Sequence, residues 1–104
     1  MTKLQAEIVN FLRGNYAEEL RRAQEIGSAL TTMAGQMLDI PKDAATAQAR
    51  SSVHAADNRA RFLEETVVAY LGTAGPTGQI ADQQLRLLAC EFMHSRDFQP
   101  AWMP

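Results

Sequence analysis

Apolar residues recur at helical spacing along most of the chain. Leu4, Ile8, Phe11, Leu12, Tyr16 and Leu20 make a first stripe, which Ala23, Ile26, Leu30, Met33 and Met37 continue in steps of three and four, close to a coiled-coil seam. The pattern predicts one long helix over 2–37, about 50 Å if unbroken. Gly14 and Gly27 are its weak points, each costing about 1 kcal/mol against alanine, and Gly14 is the natural place for a bend. Glu18 and Arg22 stand four apart in the favoured order for a helical ion pair.

Asp39-Ile40-Pro41-Lys42-Asp43 is the first punctuation. Proline disfavours α geometry in Ile40, so the first helix stops before it, whereas Pro41 suits the opening turn of the next, where Asp43 complements the helix dipole. That second helix is expected over 41–71, with a regular seam of Ala49, Val53, Ala56, Ala60, Leu63, Val67 and Tyr70. Alanine in the first half of the seam allows a close-packed partner helix, and the larger residues make a thicker end. Gly72 is a natural C-terminal cap. After the turn-rich loop 73–78, Thr77 is expected to cap a third helix over 77–94, with an apolar stripe of Ile80, Ala81, Leu85, Leu88, Ala89 and Phe92 and an outer Asp82–Arg86 pair. Pro100 prevents residues 95–104 from being helical throughout, and they read as an extended tail carrying Phe98 and Trp102. No segment alternates like a strand. The expectation is an all-α fold, in one domain over 1–104: a long antiparallel helical hairpin, a shorter third helix and an extended aromatic C-terminal tail. Such a hairpin has more seam than one short helix hides, so a homodimer completing a four-helix core is also expected.

Composition narrows the function. The chain has 104 residues, 46% of them hydrophobic, which is ordinary globular material. A net charge of −2 argues against a dedicated nucleic-acid binder, because phosphate neutralisation normally draws on a basic surplus. The single cysteine, Cys90, excludes an intramolecular disulfide and fits a reducing compartment. No apolar run approaches the roughly 20 residues that span a bilayer, and the opening residues lack a secretory signal, so a cytoplasmic protein without membrane contact is expected.

Catalytic chemistry finds little support in the residues. Cys90 and His94 share a helix face, but two ligands do not make a structural zinc site and nothing completes them. His54 with Asp57 offers a base and an orienting carboxylate but no nucleophile. The adjacent pairs Glu18-Glu19 and Glu64-Glu65 diverge by about 100° on a helix, which does not build a di-carboxylate site. Arg21, Arg22, Arg50, Arg59 and Arg61 offer a basic strip interrupted by acidic neighbours. Phe98 and Trp102 are costly to leave in water, so either they fold back on the bundle, as their size favours, or they meet a partner. Met33, Met37, Met93 and Met103 offer an adaptable apolar surface or simply fill core.

The closing stretch Leu85-Arg86-Leu87-Leu88-Ala89, then Phe92, His94, Asp97-Phe98 and Ala101-Trp102-Met103-Pro104, resembles the end of a family of short uncharacterised proteins from actinobacteria and their phages. In that family a leucine-rich helix is followed by an aromatic, a His-Pro-Asp-Tyr-like step and a terminal Trp-Arg-Pro. The run Ile8 to Arg13, with Glu18-Glu19 and Ala23, is similar to its first helix, and the stretch from Val53 to Leu63 to its middle helix. Met103 stands where the family has arginine, Ser95-Arg96 replaces the proline-containing step, and a histidine-rich segment before the middle helix is missing. The resemblance implies a cytoplasmic protein of actinobacterial or phage origin and no particular activity.

Taken together, the sequence points to a non-enzymatic helical interaction protein without cofactor or metal. It would be an adaptor, a regulator or a phage-borne modulator of a host protein, with an unidentified protein partner. The expected contact or anchoring residues are Phe92, Met93, Phe98 and Trp102. The alternative is a nucleic-acid-associated regulator using Arg21, Arg22, Arg50, Arg59 and Arg61.

Overall fold

The computed structural model describes residues 1–36 and 41–104. Among them the fold is all-α, as expected, with no strand. Helix α1 spans Lys3–Gln36, and α2 spans Lys42–Phe62 and continues through a π turn (Leu63–Val67) and a 3-10 turn (Val68–Tyr70). Helix α3 spans Pro76–Cys90, and a last 3-10 turn covers Pro100–Trp102. The predicted end of the first stripe at Met37 and the stop at Asp39-Ile40 lie outside the described residues. By its internal contacts the chain divides into two compact units: Met1–Asn15 with Ala60–Pro104, and Tyr16–Arg59.

The first unit holds most of the large buried side chains. Ile8 and Leu12 of α1, Leu63 and Val67 of the π turn, and Leu85 and Ala89 of α3 are essentially inaccessible to water. α1 opens with a reciprocal cap: the Thr2 N–H donates to Gln5 Oε1 at 2.9 Å and the Gln5 N–H donates to Thr2 Oγ1 at 3.1 Å. The seam of α2 runs as predicted to Val67 and then departs from it. A π turn takes an extra residue, which rotates the following face by about 100°. Tyr70, expected in the seam, is therefore 48% exposed, while Val68 and Leu71 are half-buried. Gly72 and Gly75 adopt φ of +84° and +76°, a region open to glycine at little cost, and reverse the chain into α3.

Two details of α3 differ from expectation. Its N-cap is Gly75 with Pro76 in the first turn and no side-chain cap, so Thr77 is already inside the helix. Its buried stripe is Ala81, Leu85 and Ala89, followed by Phe92, whereas Ile80 is 55% exposed. α geometry ends at Cys90, short of the predicted 94, and the tail is not extended. A succession of tight turns follows instead, in which Ser95 N–H donates to the Phe92 carbonyl (3.0 Å), Phe98 N–H to that of Ser95 (3.1 Å) and Trp102 N–H to that of Gln99 (2.9 Å). These turns satisfy the backbone locally and fold both aromatics back.

In the second unit α1 and α2 run antiparallel, since Glu19 pairs with Arg59 at 3.1 Å while Gly27 lies against Ala49. The predicted α1 stripe is displaced here. Gly27 and Ala34 face inward, and Ile26 and Met33 face out. Gly27 is a contact residue and not a weak point: a Cβ there would lie 2.9 Å from that of Ala49. Small residues on both helices let the backbones approach, which large side chains at this level would prevent.

The two α1 glycines are expected to respond in opposite directions. Gly14→Ala, with nothing within 4 Å of the new methyl, should stabilise by about 0.5–1 kcal/mol. Gly27→Leu should destabilise by about 2 kcal/mol through overpacking. Urea unfolding followed by far-UV circular dichroism measures both, and equal signs would refute the close-approach role of Gly27.

Candidate interaction surface

Helix α1 presents Phe11 toward the returning tail, and Phe11 becomes the centre of an aromatic cluster. Its ring lies 4.9 Å from that of Trp102, 6.1 Å from Phe92 and 6.3 Å from Phe98, with Phe98 and Trp102 edge-to-face at 5.7 Å. These separations and tilts are those in which aromatic edges meet neighbouring faces. Of the four residues expected to contact a partner or anchor the fold, Phe92 and Trp102 are core, Trp102 being only 3% exposed, and Phe98 is half-buried. They anchor the fold and offer a partner little area. Met93 alone stands out, at 51% exposure. Trp102 Nε1 is buried without a hydrogen-bond partner among the described residues.

A polar clasp flanks this core. The Gln5 amide donates to Asp82 Oδ1 at 2.9 Å, Arg86 Nε donates to Asp82 Oδ2 at 3.0 Å, and Arg86 Nη1 donates to the Ala101 carbonyl at 3.1 Å. One glutamine thus caps α1 through its oxygen and holds α3 through its nitrogen, and one arginine joins α3 to the tail. The Gln5 amide first, and then Arg86, keep the Asp82 carboxyl below the usual carboxylate range. The sequence pattern had shown the Asp82–Arg86 pair but placed it on the outside, and its reach to Gln5 went unread. The signal for Gln5 was the Thr2-x-x-Gln5 capping spacing.

The second unit carries a groove of about 450 Å³ along one side of its two helices. Ala23, Ile26, Gly27, Leu30, Ala49 and Ala56 line it, together with polar Gln48 and Ser52 and charged Glu19, Arg22 and Arg59. Ile26 is 67% exposed, the most exposed of the chain's large aliphatic side chains among the described residues. The opposite side of the same hairpin is also grooved but lined by Gln24, Ser28, Thr31, Thr46, Arg50 and His54. Gly27, Ala49 and Val53 also line this second groove, so both are mixed and the first is the more apolar of the two. Sequence reasoning missed this, because Ile26 and Leu30 were assigned to the seam between the helices.

The five arginines proposed for phosphate contact do not form a free basic strip. Arg21 is held by Glu18 and Glu25, Arg22 by Glu18, Arg59 by Glu19, and Arg61 by Glu65. Arg21, with Arg22, pulls the Glu18 carboxyl down to about 2. Arg50 alone of the five has no acidic partner among the described residues. Glu64 binds Arg13 through both oxygens, which lowers its pKa as well. His54 and Asp57 are both exposed, with no hydrogen bond between them, and α3 ends at half-buried Cys90, so exposed His94 does not share a helix face with it as expected. No group of three or more metal-binding side chains occurs among the described residues, and no helix there is long and apolar enough to cross a membrane.

Two predictions follow from the cluster and the clasp. Trp102→Ala should cost about 3–5 kcal/mol of stability, whereas Trp102→Phe, which deletes an N–H that has no acceptor, should cost about 1 kcal/mol or less. Comparable losses in urea unfolding would mean that the indole N–H is satisfied after all. Depressed carboxylates stabilise the fold above their ordinary pKa, near 4, and lose that contribution as pH falls through the lowered value. Stability should therefore decline below about pH 4 as Glu18, Glu64 and Asp82 protonate. Gln5→Glu, which sets a second carboxylate against Asp82, should cost about 1 kcal/mol at pH 7, kept small by partial exposure, and less below pH 4. A penalty that grows on acidification would overturn the assignment.

No family model, curated protein or solved structure matches this chain.

Proposed function

We propose that this chain is a small helical protein–protein interaction module, an adaptor or regulator, which binds through the apolar face of the 16–59 hairpin. The observation that carries the reading is Ile26, an aliphatic side chain two-thirds exposed beside a groove of alanines. Large apolar side chains grouped on one face, opposite a more polar one, characterise surfaces that meet other proteins. The aromatic tail, the first candidate for this role, is occupied in holding its own unit together. Ion pairing of four of the five arginines makes the nucleic-acid reading the weaker one, because a phosphate would have to displace an existing carboxylate partner.

The test is capture with immobilised protein from a bacterial lysate, with and without nuclease, comparing wild type with Ile26→Glu. A discrete protein that survives nuclease and is lost with Ile26→Glu is expected. Recovery that vanishes with nuclease, together with a gel shift that weakens steeply with salt, would return the function to the arginines.

A further inference from the structure

The apolar face of the second unit is unusual in what it leaves uncovered. Among the described residues of Tyr16–Arg59, the buried hydrophobic side chains are Tyr16, Ala34, Ala45 and Ala56. Only one of these is large. The larger aliphatic residues among those described, Leu20, Ile26, Leu30, Met33 and Val53, are half-buried or exposed. Among the described residues, two helices joined along alanine and glycine approach closely but enclose no core, without the second layer that amphipathic helices require.

We infer that the second layer is another copy of this chain, docked face to face on the Ile26 groove to form a four-helix core. The proposal rests on the interaction reading above and names its partner. Three features favour self-association over a foreign helix. First, the projecting side chain and the hollow lie on the same face: Ile26 stands beside a floor of Ala23, Ala49 and Ala56. A two-fold axis through this face seats each Ile26 on the other copy's alanines, as a self-complementary interface requires. Second, the rim charges are already paired within the chain, Glu19 with Arg59 and Arg22 with Glu18, so the rim repels no second copy and offers no unpaired charge to a partner of single sign. Third, the area suffices. Two helices about 30 Å long and together about 20 Å wide offer roughly 600 Å² per copy, or about 1,200 Å² in total, the lower bound of specific interfaces. A weak dimer, dissociating in the micromolar range, is the corresponding expectation. The more polar groove lined by Ser28, Thr31 and His54 then faces water.

Sedimentation equilibrium of the full chain between about 1 and 200 µM decides the matter. The expected mass rises with concentration from 11.5 kDa toward twice that value. Ile26→Glu, which sets a carboxylate against the other copy's alanines, should remain monomeric throughout with an unchanged far-UV spectrum, since the side chain it replaces is exposed. Ile26→Ala, which adds no charge, should raise the dissociation constant roughly tenfold, and His54→Glu on the opposite face should leave it unchanged. A wild-type monomer at every concentration overturns the proposal, as does a dimer that tolerates Ile26→Glu. If the chain is monomeric and yet Ile26→Glu abolishes capture of a different protein, the second copy is excluded and the interaction reading survives. If neither self-association nor capture responds to Ile26, both readings fail.

Discussion

Side-chain volume along the seam of α2 is the constraint from which the rest of this structure follows. The seam runs through Ala45, Ala49 and Ala56 and then changes to Leu63 and Val67. Small residues set the distance between paired helices, and large ones demand something to cover them. Where the seam is alanine, α1 answers with Gly27 and Ala34, and the two helices lie close with little between them. Where it is leucine and valine, Ile8 and Leu12 of α1 and Leu85 of α3 are buried in the same unit. A two-helix layer and a filled core are different solutions to one requirement, and residue size selects between them within a single helix.

The filled core is closed by aromatic contact and by hydrogen bonds of modest number but long reach. Phe11 touches three other rings, two of them from the tail, so removing the tail exposes the α1 aromatic as well as the tail's own. Gln5, Asp82 and Arg86 form a chain from the start of α1 through α3 to the Ala101 carbonyl. Each link is partly exposed and worth little alone. Together they fix which face of α3 turns inward, and this leaves Ile80 and Leu87 outside while Leu85 and Ala89 are buried.

Much of this was legible in the chain, and what was not has identifiable causes. The three helices, the Gly72 reversal and the change from small to large along α2 follow from periodicity and turn chemistry, which are local. The π turn is not local: its extra residue lets Val68 and Leu71, and not Tyr70, complete the turn, and a regular heptad reading extends past the break. Ile26 and Met33 fit the seam spacing as well as Gly27 and Ala34 do. A reading that ranks positions by hydrophobicity chooses the larger residues, while close approach chooses the smaller. Pro100 does keep 95–104 from being helical throughout, but the segment is not extended, because proline also opens a 3-10 turn readily and tight turns fold the chain back.

Packing also moves the candidate interaction surface from the tail to the hairpin. In the sequence, Phe98 and Trp102 stood between folding back, the favoured outcome, and meeting a partner, and the apparent core was the Ile26–Leu30 stripe. Packing takes the first alternative for the aromatics and turns Ile26 outward. A tryptophan held between Phe11 and Phe98 has little area left to offer, whereas an isoleucine beside alanines retains most of its own. The energy available to a partner depends on the apolar area still in contact with water, not on the hydrophobicity of a residue as such. By that measure the candidate surface lies on the 16–59 hairpin, whose described residues bury few large side chains and leave an apolar face for another molecule to cover.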